Sequence, residues 1–272
     1  MKKRVVTPGN IFMVLIFIFM YAPIILLMIF SFNDSKSRAV WSGFTLKWYG
    51  KLISDSNILH ALQITLAVSV LAALISTVLG TLAAIGIFNM TRRRRRLMMT
   101  ANNIPMMNPD IIMGVSLMLL FIFLYETLGL QAFRLGFLTL LLAHITFDTP
   151  YVILSVMPRL RQMDQSQYEA ALDLGATPLQ AMRLVVLPQI MSGVVTGMIL
   201  SFTMSIDDVV VSYFTSGANT ETLGVLIFSM TRKRISPEIN ALCTIMFVIV
   251  LLLLLIINFR ELRAERKDGL RN

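Results

Sequence analysis

The sequence predicts an all-α protein that crosses a membrane six times, and three observations support this prediction. Hydrophobic residues make up 56% of the 272 residues and charged residues only 14%, whereas soluble domains average about 45–50% and about 25%. The charged residues are clustered, which leaves apolar stretches of roughly twenty residues, the length of a spanning helix. The net charge of +9 arises from lysines and arginines at the ends of those stretches. This pattern indicates a polytopic membrane protein and excludes a nucleic-acid-binding soluble domain.

The six apolar stretches are expected to form a single transmembrane domain over residues 1–272. They lie at about 11–30, 58–88, 97–125, 137–157, 189–214 and 239–259. The first stretch follows basic residues but has no small-x-small cleavage pattern, so we interpret it as an uncleaved span. We expect a bent or partly unwound helix in the third stretch, which is interrupted by Asn102, Asn103, Pro105, Asn108, Pro109 and Asp110.

The distribution of lysine and arginine over the short loops predicts the orientation. With both termini in the cytoplasm, the inner side holds 16 basic residues: Lys2, Lys3, Arg4, Arg92, Arg93, Arg94, Arg95, Arg96, Arg159, Arg161, Arg183, Arg260, Arg263, Arg266, Lys267 and Arg271. The outer side then holds eight: Lys36, Arg38, Lys47, Lys51, Arg134, Arg232, Lys233 and Arg234. The last three of these argue against the orientation that the other residues favour.

Motifs of catalysis and metal binding are missing from the sequence. There is no GxxxxGK[ST] loop for nucleotide phosphates, no HExxH, no CxxC and no GxSxG. The two histidines, His60 and His144, and the lone Cys243 make a poor set of metal ligands. We therefore expect this chain to have no catalytic residue, no metal and no cofactor of its own.

The loop at 159–188, between the fourth and fifth stretches, has the pattern of two short helices joined by a tight turn. Helix-forming residues at 169–174 precede Gly175, which suits a left-handed C-terminal cap. Thr177 and Pro178 can begin a second helix, which Leu187 and Pro188 are expected to end. Such a pair of helices projecting from a membrane is a compact surface for a partner protein.

The same loop resembles the conserved motif of permease subunits of ATP-binding-cassette (ABC) importers. The matching residues are Glu169, Ala170, Ala171, Gly175, Leu187 and Pro188, and Val185 stands where the family usually has isoleucine. The resemblance implies the type I ABC importer transmembrane fold with a cytoplasmic coupling helix. It also implies that Glu169 takes part in coupling to an ATPase, and that the chain lies in a bacterial plasma (inner) membrane.

The resemblance extends over nearly the whole chain through five further segments: 43–49, 108–112, 144–147, 200–212 and 235–242. These segments resemble one subfamily, the second permease of the spermidine/putrescine importer. The resemblance implies that Trp48, Asp110, Ser205, Asp207 and Asp208 take part in polyamine passage. It implies a second permease as partner, two ATPase subunits that hold ATP and Mg²⁺, an extracytoplasmic polyamine-binding protein and the surrounding lipid, but no nucleic acid. In this interpretation the chain is a transport subunit and not itself an enzyme.

The acidic residues inside the apolar stretches point to a polar pathway independently of that resemblance. A charge at the centre of a bilayer helix costs at least about 2.5–3.5 kcal/mol, so it is expected to face protein or a watery cavity. Two stripes with helical spacing accompany Asp110 and are candidates for the lining of one pathway: Ser201, Ser205, Asp208 and Ser212, and His144, Asp148, Tyr151 and Ser155. The alternative for the serines and His144 is hydrogen bonding between helices.

Asp148 departs from the resembled family, in which an uncharged residue is more usual. It adds affinity, alters selectivity or pairs with His144, and the sequence leaves these three roles open. Two other functions also stay open. One is an importer of the same architecture for another organic cation or a metal chelate, and the other is a self-contained cation channel or ion-driven carrier.

Overall fold

The computed structural model describes residues 8–35, 40–233, 237–249 and 251–252. Within them the regular secondary structure is helical, apart from an isolated β-bridge between Asn33 and Phe44, and the all-α prediction is confirmed. The helices are α1 Pro8–Phe30, α2 Lys47–Ser54, α3 Ser56–Phe88, α4 Arg92–Met107, α5 Asp110–Glu126, α6 Phe137–Gln162, α7 Gln165–Asp173, α8 Pro178–Ala181, α9 Leu187–Asp207, α10 Val210–Thr215, α11 Leu223–Lys233 and α12 Pro237–Ile249.

Four or five of the predicted spans are present in the described part of the chain. Four helices are long and apolar enough to cross a membrane: α1, α3, α6 and the continuous helix Pro178–Asp207 that includes α8 and α9. Helices α4 and α5 make a fifth span if the pair is counted as one, and they are bent by 101° at their junction. The interruption predicted in the third stretch is therefore confirmed. The sixth stretch begins within α12, but 253–259 lie outside the described residues, so the count of six stays a prediction.

The orientation also stays a prediction, because many of the basic residues behind it lie outside the described ranges. These are Lys2, Lys3, Arg4, Lys36, Arg38, Arg234, Arg260, Arg263, Arg266, Lys267 and Arg271. Two residues of the 235–242 segment, Ile235 and Ser236, lie outside them as well.

The chain divides into two compact units, which are described separately. Unit 1 comprises residues 1–59 and 229–272, and unit 2 comprises residues 60–228. In unit 1 the segment after α1 folds back on itself, because the Asn33 side chain donates to Val40 O at 2.8 Å and accepts from Ser42 N at 2.9 Å. The Lys51 ammonium of α2 pairs with Glu238 of α12 at 2.8 Å. These contacts hold the loop and the two helices together within the unit.

In unit 2 the helices approach closely where glycine faces a neighbouring backbone. A Cβ atom on Gly193 of α9 would lie 2.8 Å from the Ser155 carbonyl oxygen of α6. A Cβ atom on Gly197, one turn further, would lie 3.1 Å from Val152 Cα. Small residues allow this kind of contact between membrane helices. A buried apolar cluster surrounds the contact, and its members are Ala84, Ile87, Val152, Ile153, Val156, Met157, Leu160, Val186 and Ile190.

The sequence predicted that the second helix of the 159–188 loop ends at Leu187 and Pro188. In the structure it does not end there. It begins at Pro178 and continues to Asp207. The turn Met182–Val186 is π-helical, so the Leu187 N–H bonds to the Met182 carbonyl five residues back. This wider turn accommodates a proline that would otherwise collide with the preceding turn of a regular helix.

Candidate functional site: an acidic cavity and an exposed helical loop

A cavity of about 170 Å³ in unit 2 brings three of the predicted acidic residues together. Asp110, Asp207 and Asp208 line it, and two aromatic residues of α6, Phe147 and Tyr151, form part of its wall. The other lining residues are Pro105, Met106, Met113, Met204 and Val211. The polar stripe predicted from the sequence includes Tyr151 but not Phe147. Because the two residues are four apart on one helix, they lie on the same face, and this spacing could have identified Phe147 as well.

Asp110 reaches the cavity because of the bend between α4 and α5. Pro109 disfavours the helical conformation of the residue before it, and Asn108 is extended, with ψ of 143°. Asp110 then becomes the first residue of α5, where the partial positive charge of a helix N-terminus stabilises a carboxylate. Its side chain is exposed to the cavity side rather than packed in the core.

Asp208 creates the second backbone break of the cavity. Its backbone is extended, with φ of −69° and ψ of 127°, so α9 ends at Asp207 and α10 begins at Val210. Its carboxylate accepts hydrogen bonds from Val211 N at 3.2 Å and Ser212 N at 2.7 Å. In a continuous helix these amides would bond to backbone carbonyls, and an aspartate side chain competes for them. The helical stripe predicted for Ser201, Ser205, Asp208 and Ser212 is therefore interrupted at Asp208.

His144 joins the two sides of that break. Its Nδ1 hydrogen-bonds with Ser205 Oγ at 2.6 Å and its Nε2 with Ser212 Oγ at 2.9 Å. Its Nε2 also lies 3.7 Å from the Asp208 carboxylate. His144, Ser205 and Ser212 are all buried, and none is among the cavity-lining residues. The structure thus places Ser205 and His144 in contacts between helices, which is the alternative that the sequence left open for them.

Asp148 lies deeper than the other acidic side chains of unit 2 that are described. It is completely buried, and neither of its carboxyl oxygens has a hydrogen-bond partner in the described part of the chain. The expected alternative of pairing with His144 is not observed, since both nitrogens of that ring are bonded to serines. The effects of Asp148 on affinity and selectivity stay predictions.

Trp48 belongs to unit 1 and is fixed by its own surroundings. The side chain is 2% exposed, and its indole N–H donates to the Asn33 carbonyl at 2.8 Å. The ammonium groups of Lys47 and Lys51 lie 4.7 and 5.7 Å from the centre of a Trp48 ring. Both distances are within the range of cation–π attraction. The face of this ring is thus already in contact with cations of the chain itself.

The negative charge of the cavity is not balanced by lysine or arginine among the described residues. The two ion pairs with lysine in this part of the chain join Lys47 to Asp34 and Lys51 to Glu238. The three aspartates of the cavity also do not form a cluster that could hold a single metal ion. The cavity is therefore an acidic site with three carboxylates and two aromatic side chains.

The 159–188 loop forms a second feature with a defined shape. Asp164 caps α7 by accepting from Ser166 N at 3.0 Å, and its hydrogen bonds with Ser166 hold the pKa of the Asp164 carboxyl below its ordinary value. At the other end of α7, Gly175 has φ of +87°, which confirms the predicted left-handed cap. The bonds Gly175 N to Leu172 O (2.9 Å) and Ala176 N to Ala171 O (3.0 Å) complete the Schellman motif.

The helix after this turn begins where the sequence predicted. Thr177 caps it by accepting from Gln180 N at 3.3 Å, and the Gln180 side chain accepts from Thr177 N at 2.8 Å. Pro178 occupies the first turn. Thr177, Gln180 and Pro178 therefore provide the capping box and the first-turn proline of a stable N-terminus.

The outer face of this loop is exposed and partly apolar. Glu169 and Ala170 are exposed on α7, whereas Tyr168 packs against the apolar cluster of unit 2 and anchors the helix. Leu174, Leu179 and Leu184 are 90%, 78% and 70% exposed. Sequence reasoning missed these three leucines, although their spacing of five residues in a polar loop is a readable signal. Leu187 and Pro188 lie inside the continuous helix, away from the turn.

Comparison with known proteins agrees with this architecture. The family described as "Binding-protein-dependent transport system inner membrane component" matches residues 76–260. The putrescine transport system permease protein PotI of Escherichia coli is 41% identical over 266 residues, which cover 96% of this chain and 93% of PotI. The spermidine/putrescine transport system permease protein PotC of Escherichia coli is 41% identical over 244 residues, 90% of each chain.

A solved bacterial ABC transporter involved in the import of the acidic polysaccharide alginate has the same fold. Its TM-score is 0.69 at 16% identity, with 92% of this chain and 95% of that chain covered. The predicted fold of an ABC importer permease is thereby confirmed. The family match and the identity to the two permeases show that the chain belongs to the binding-protein-dependent transport system inner membrane components.

Proposed function

We propose that this chain is a permease subunit of an ATP-driven importer and forms, with a second permease, a path for polyamines that works by alternating access. The observation that carries the proposal is the cavity in which Asp110, Asp207 and Asp208 meet Phe147 and Tyr151. The similarity to putrescine and spermidine/putrescine permeases supports the same substrate class. Such a subunit crosses a bacterial inner membrane six times, with both termini in the cytoplasm.

The composition of the cavity suits a polyamine better than a metal chelate or a compact inorganic cation. A polyamine carries ammonium groups separated by methylene chains. Separated carboxylates can pair with the ammonium groups one by one, and aromatic faces attract cations and contact methylenes. Asp110 and Asp207 have no lysine or arginine partner in the described residues, so they are available to a cationic substrate.

The coupling surface is the outer face of the 159–188 loop. Glu169 with Ala170 and Ala171 on α7, the turn at Gly175 and the exposed Leu174 present a charged and apolar patch. We expect an ATPase subunit to bind it from the cytoplasm and to hold the ATP and Mg²⁺, because the sequence has no phosphate-binding loop of its own. Leu187 and Pro188 would transmit its movement, since they lie in the helix that continues to Asp207 at the cavity.

Uptake of radiolabelled polyamine by cells that carry the whole importer tests the substrate path. Asp110→Asn and Asp207→Asn should each lower kcat/KM at least about tenfold, because a close charge pair contributes about 1.5 kcal/mol or more and about 1.4 kcal/mol corresponds to a factor of ten. Glu126→Gln, at the end of α5 and outside the cavity, is the control and should transport normally. Unchanged uptake in both aspartate variants would exclude the cavity as the path.

Competition and purification distinguish the remaining functions. Unlabelled putrescine or spermidine should compete with the labelled substrate, whereas preferential competition by another organic cation or a metal chelate would assign the importer to that ligand. The isolated chain should carry no current in a planar bilayer, because its transport depends on the ATPase and the extracytoplasmic binding protein. Conduction by the chain alone would contradict the proposal and indicate a channel.

Coupling is tested at Glu169, which is exposed and makes no ion pair in the described residues. Glu169→Ala should abolish substrate-stimulated ATP hydrolysis while the chain still inserts into the membrane. Glu169→Asp keeps the charge and should retain part of the stimulation. Wild-type stimulation in the alanine variant would rule out this residue as an ATPase contact.

A further inference from the structure

The fully buried carboxyl of Asp148 is not used by the site described above. Both of its oxygens lie out of contact with solvent, and neither accepts a hydrogen bond in the described part of the chain. Burying a carboxylate without a donor or a cation is costly, so buried acidic groups are normally paired. An unpaired one at the centre of a helix bundle points to a ligand that occupies the position for part of the transport cycle.

The hydroxyl group beside Asp148 is shared with a second acceptor. Ser201 lies beside the carboxyl and can donate to it, but its oxygen is also 2.8 Å from Ser76 Oγ, and either serine can be the donor of that bond. When Ser76 donates to the Ala72 carbonyl at 2.5 Å, the single proton of Ser201 goes to Ser76. One shared hydroxyl proton does not balance the charge of a buried carboxylate.

The position of Asp148 places it directly behind the cavity. Its neighbours on α6, Phe147 and Tyr151, both line the cavity. Asp208 lines the cavity as well and is close enough to Asp148 for the two charges to interact. Tyr151 is close enough to interact with both Asp110 and Asp148. The buried carboxyl thus extends the row of cavity carboxylates one step further into the bundle.

We propose that Asp148 is a specificity-determining residue, an inner ammonium-binding position that receives the third positive charge of a triamine such as spermidine. The inference rests on the proposed function, since it assumes that polyamines enter the cavity. Asp110 and Asp207 are exposed at the cavity and suffice for the two ammonium groups of putrescine. Asp208 is already engaged by two backbone amides. A third ammonium therefore finds its free carboxylate at Asp148 when the cavity opens inward.

The test compares spermidine and putrescine uptake by the complete importer carrying Asp148→Asn, which keeps the shape and removes the charge. We expect kcat/KM for spermidine to fall at least about tenfold and that for putrescine to change less than about threefold, since one ion pair is lost only with the triamine. Asp148→Glu restores the charge and should recover part of the preference for spermidine. Glu126→Gln removes an exposed carboxylate elsewhere and is the matched control.

Three outcomes would overturn the inference. If Asp148→Asn transports both amines like the wild type, Asp148 is a neutral acid that only packs the bundle. If uptake of both amines falls equally, its role is structural. If Asp148→Asn does not insert, Asp148→Ser replaces it, and an unchanged ratio of spermidine to putrescine uptake then decides against the proposal. A failure of the proposed function is distinct, because the wild type would then take up neither amine.

Discussion

Replacing Gly175 with alanine should weaken the coupling between the ATPase and transport. The cause would be a change in backbone conformation and not a steric clash of the added methyl group. Gly175 adopts φ of +87° in the turn between α7 and α8. A Cβ atom added at this position would meet nothing within 4 Å. The turn has the two hydrogen bonds of a Schellman motif. A change of φ at Gly175 would break both bonds. Glu169 would then move relative to the helix that leads to the cavity.

The size of the effect follows from the left-handed conformation. An L-residue with a Cβ atom pays about 1–2 kcal/mol there, and asparagine adopts this region several times more often than other residues. At about 1.4 kcal/mol per factor of ten, alanine at Gly175 would reduce the population of the native turn by about 5–30-fold relative to alternative turns. Asparagine is larger than alanine but should cost less, so size and conformation predict opposite orders for the two variants.

The assay is substrate-stimulated ATP hydrolysis and uptake by the reconstituted importer. We expect the order of activity to be wild type, Gly175→Asn, Gly175→Ala. Gly86→Ala serves as the control, because it also adds a methyl group that meets nothing within 4 Å, but at a helical position. Wild-type activity of the alanine variant, or lower activity of the asparagine variant than of the alanine variant, would refute the conformational argument.

Three further predictions concern the packing and the breaks of the helices. Gly193→Ala should lower the thermal unfolding midpoint of the purified protein, because overpacking costs about 1–3 kcal/mol. Gly86→Ala, whose added methyl group meets nothing within 4 Å, should not lower it. Equal midpoints of the two variants would contradict this prediction. Asp208→Ala should accelerate hydrogen exchange of the α10 amides by about 2–30-fold relative to Asp208→Asn, which keeps a side-chain acceptor oxygen, since a lost cap costs about 0.5–2 kcal/mol. Equal rates in the two variants would show that a side-chain oxygen at this position does not hold the break. Trp48→Phe should destabilise the protein by about 1 kcal/mol, because the Asn33 carbonyl loses its donor, and an unchanged unfolding midpoint would show that this bond contributes nothing.

Features that depend on a few neighbouring residues were predictable from the sequence. The left-handed turn at Gly175 and the helix start at Thr177 need only the local backbone preferences of glycine, threonine and proline. The bend of 101° between α4 and α5 follows from Pro109 and its polar neighbours in an otherwise apolar stretch. The apolar stretches likewise set the limits of α1 and α3 to within a few residues.

The ends of the fifth span were not predictable in the same way. Leu187 and Pro188 signal a helix end, but the π-helical turn Met182–Val186 absorbs the proline. The presence of Asp208 in the sequence does not predict a break in the helix, because an aspartate in an apolar stretch is compatible with a continuous helix that faces a cavity. The break depends on whether the carboxylate accepts from backbone amides ahead of it, as it does from Val211 and Ser212. That choice is made by the surrounding structure and leaves no mark in the residue pattern.

The two kinds of polar residue in the predicted stripes separate for a chemical reason. Serine and histidine can both donate and accept, so His144, Ser205 and Ser212 satisfy one another and become buried. An ionised carboxylate only accepts, and carboxylates cannot satisfy one another. Asp110 and Asp207 therefore stay exposed at the cavity, and Asp208 takes backbone amides. Among the aspartates in the described part of the chain that lie in these stripes or line the cavity, Asp148 alone is neither exposed nor bonded to backbone amides. For this reason the acidic residues, more than the hydroxyls of the same stripes, indicate where a cationic substrate is expected to pass.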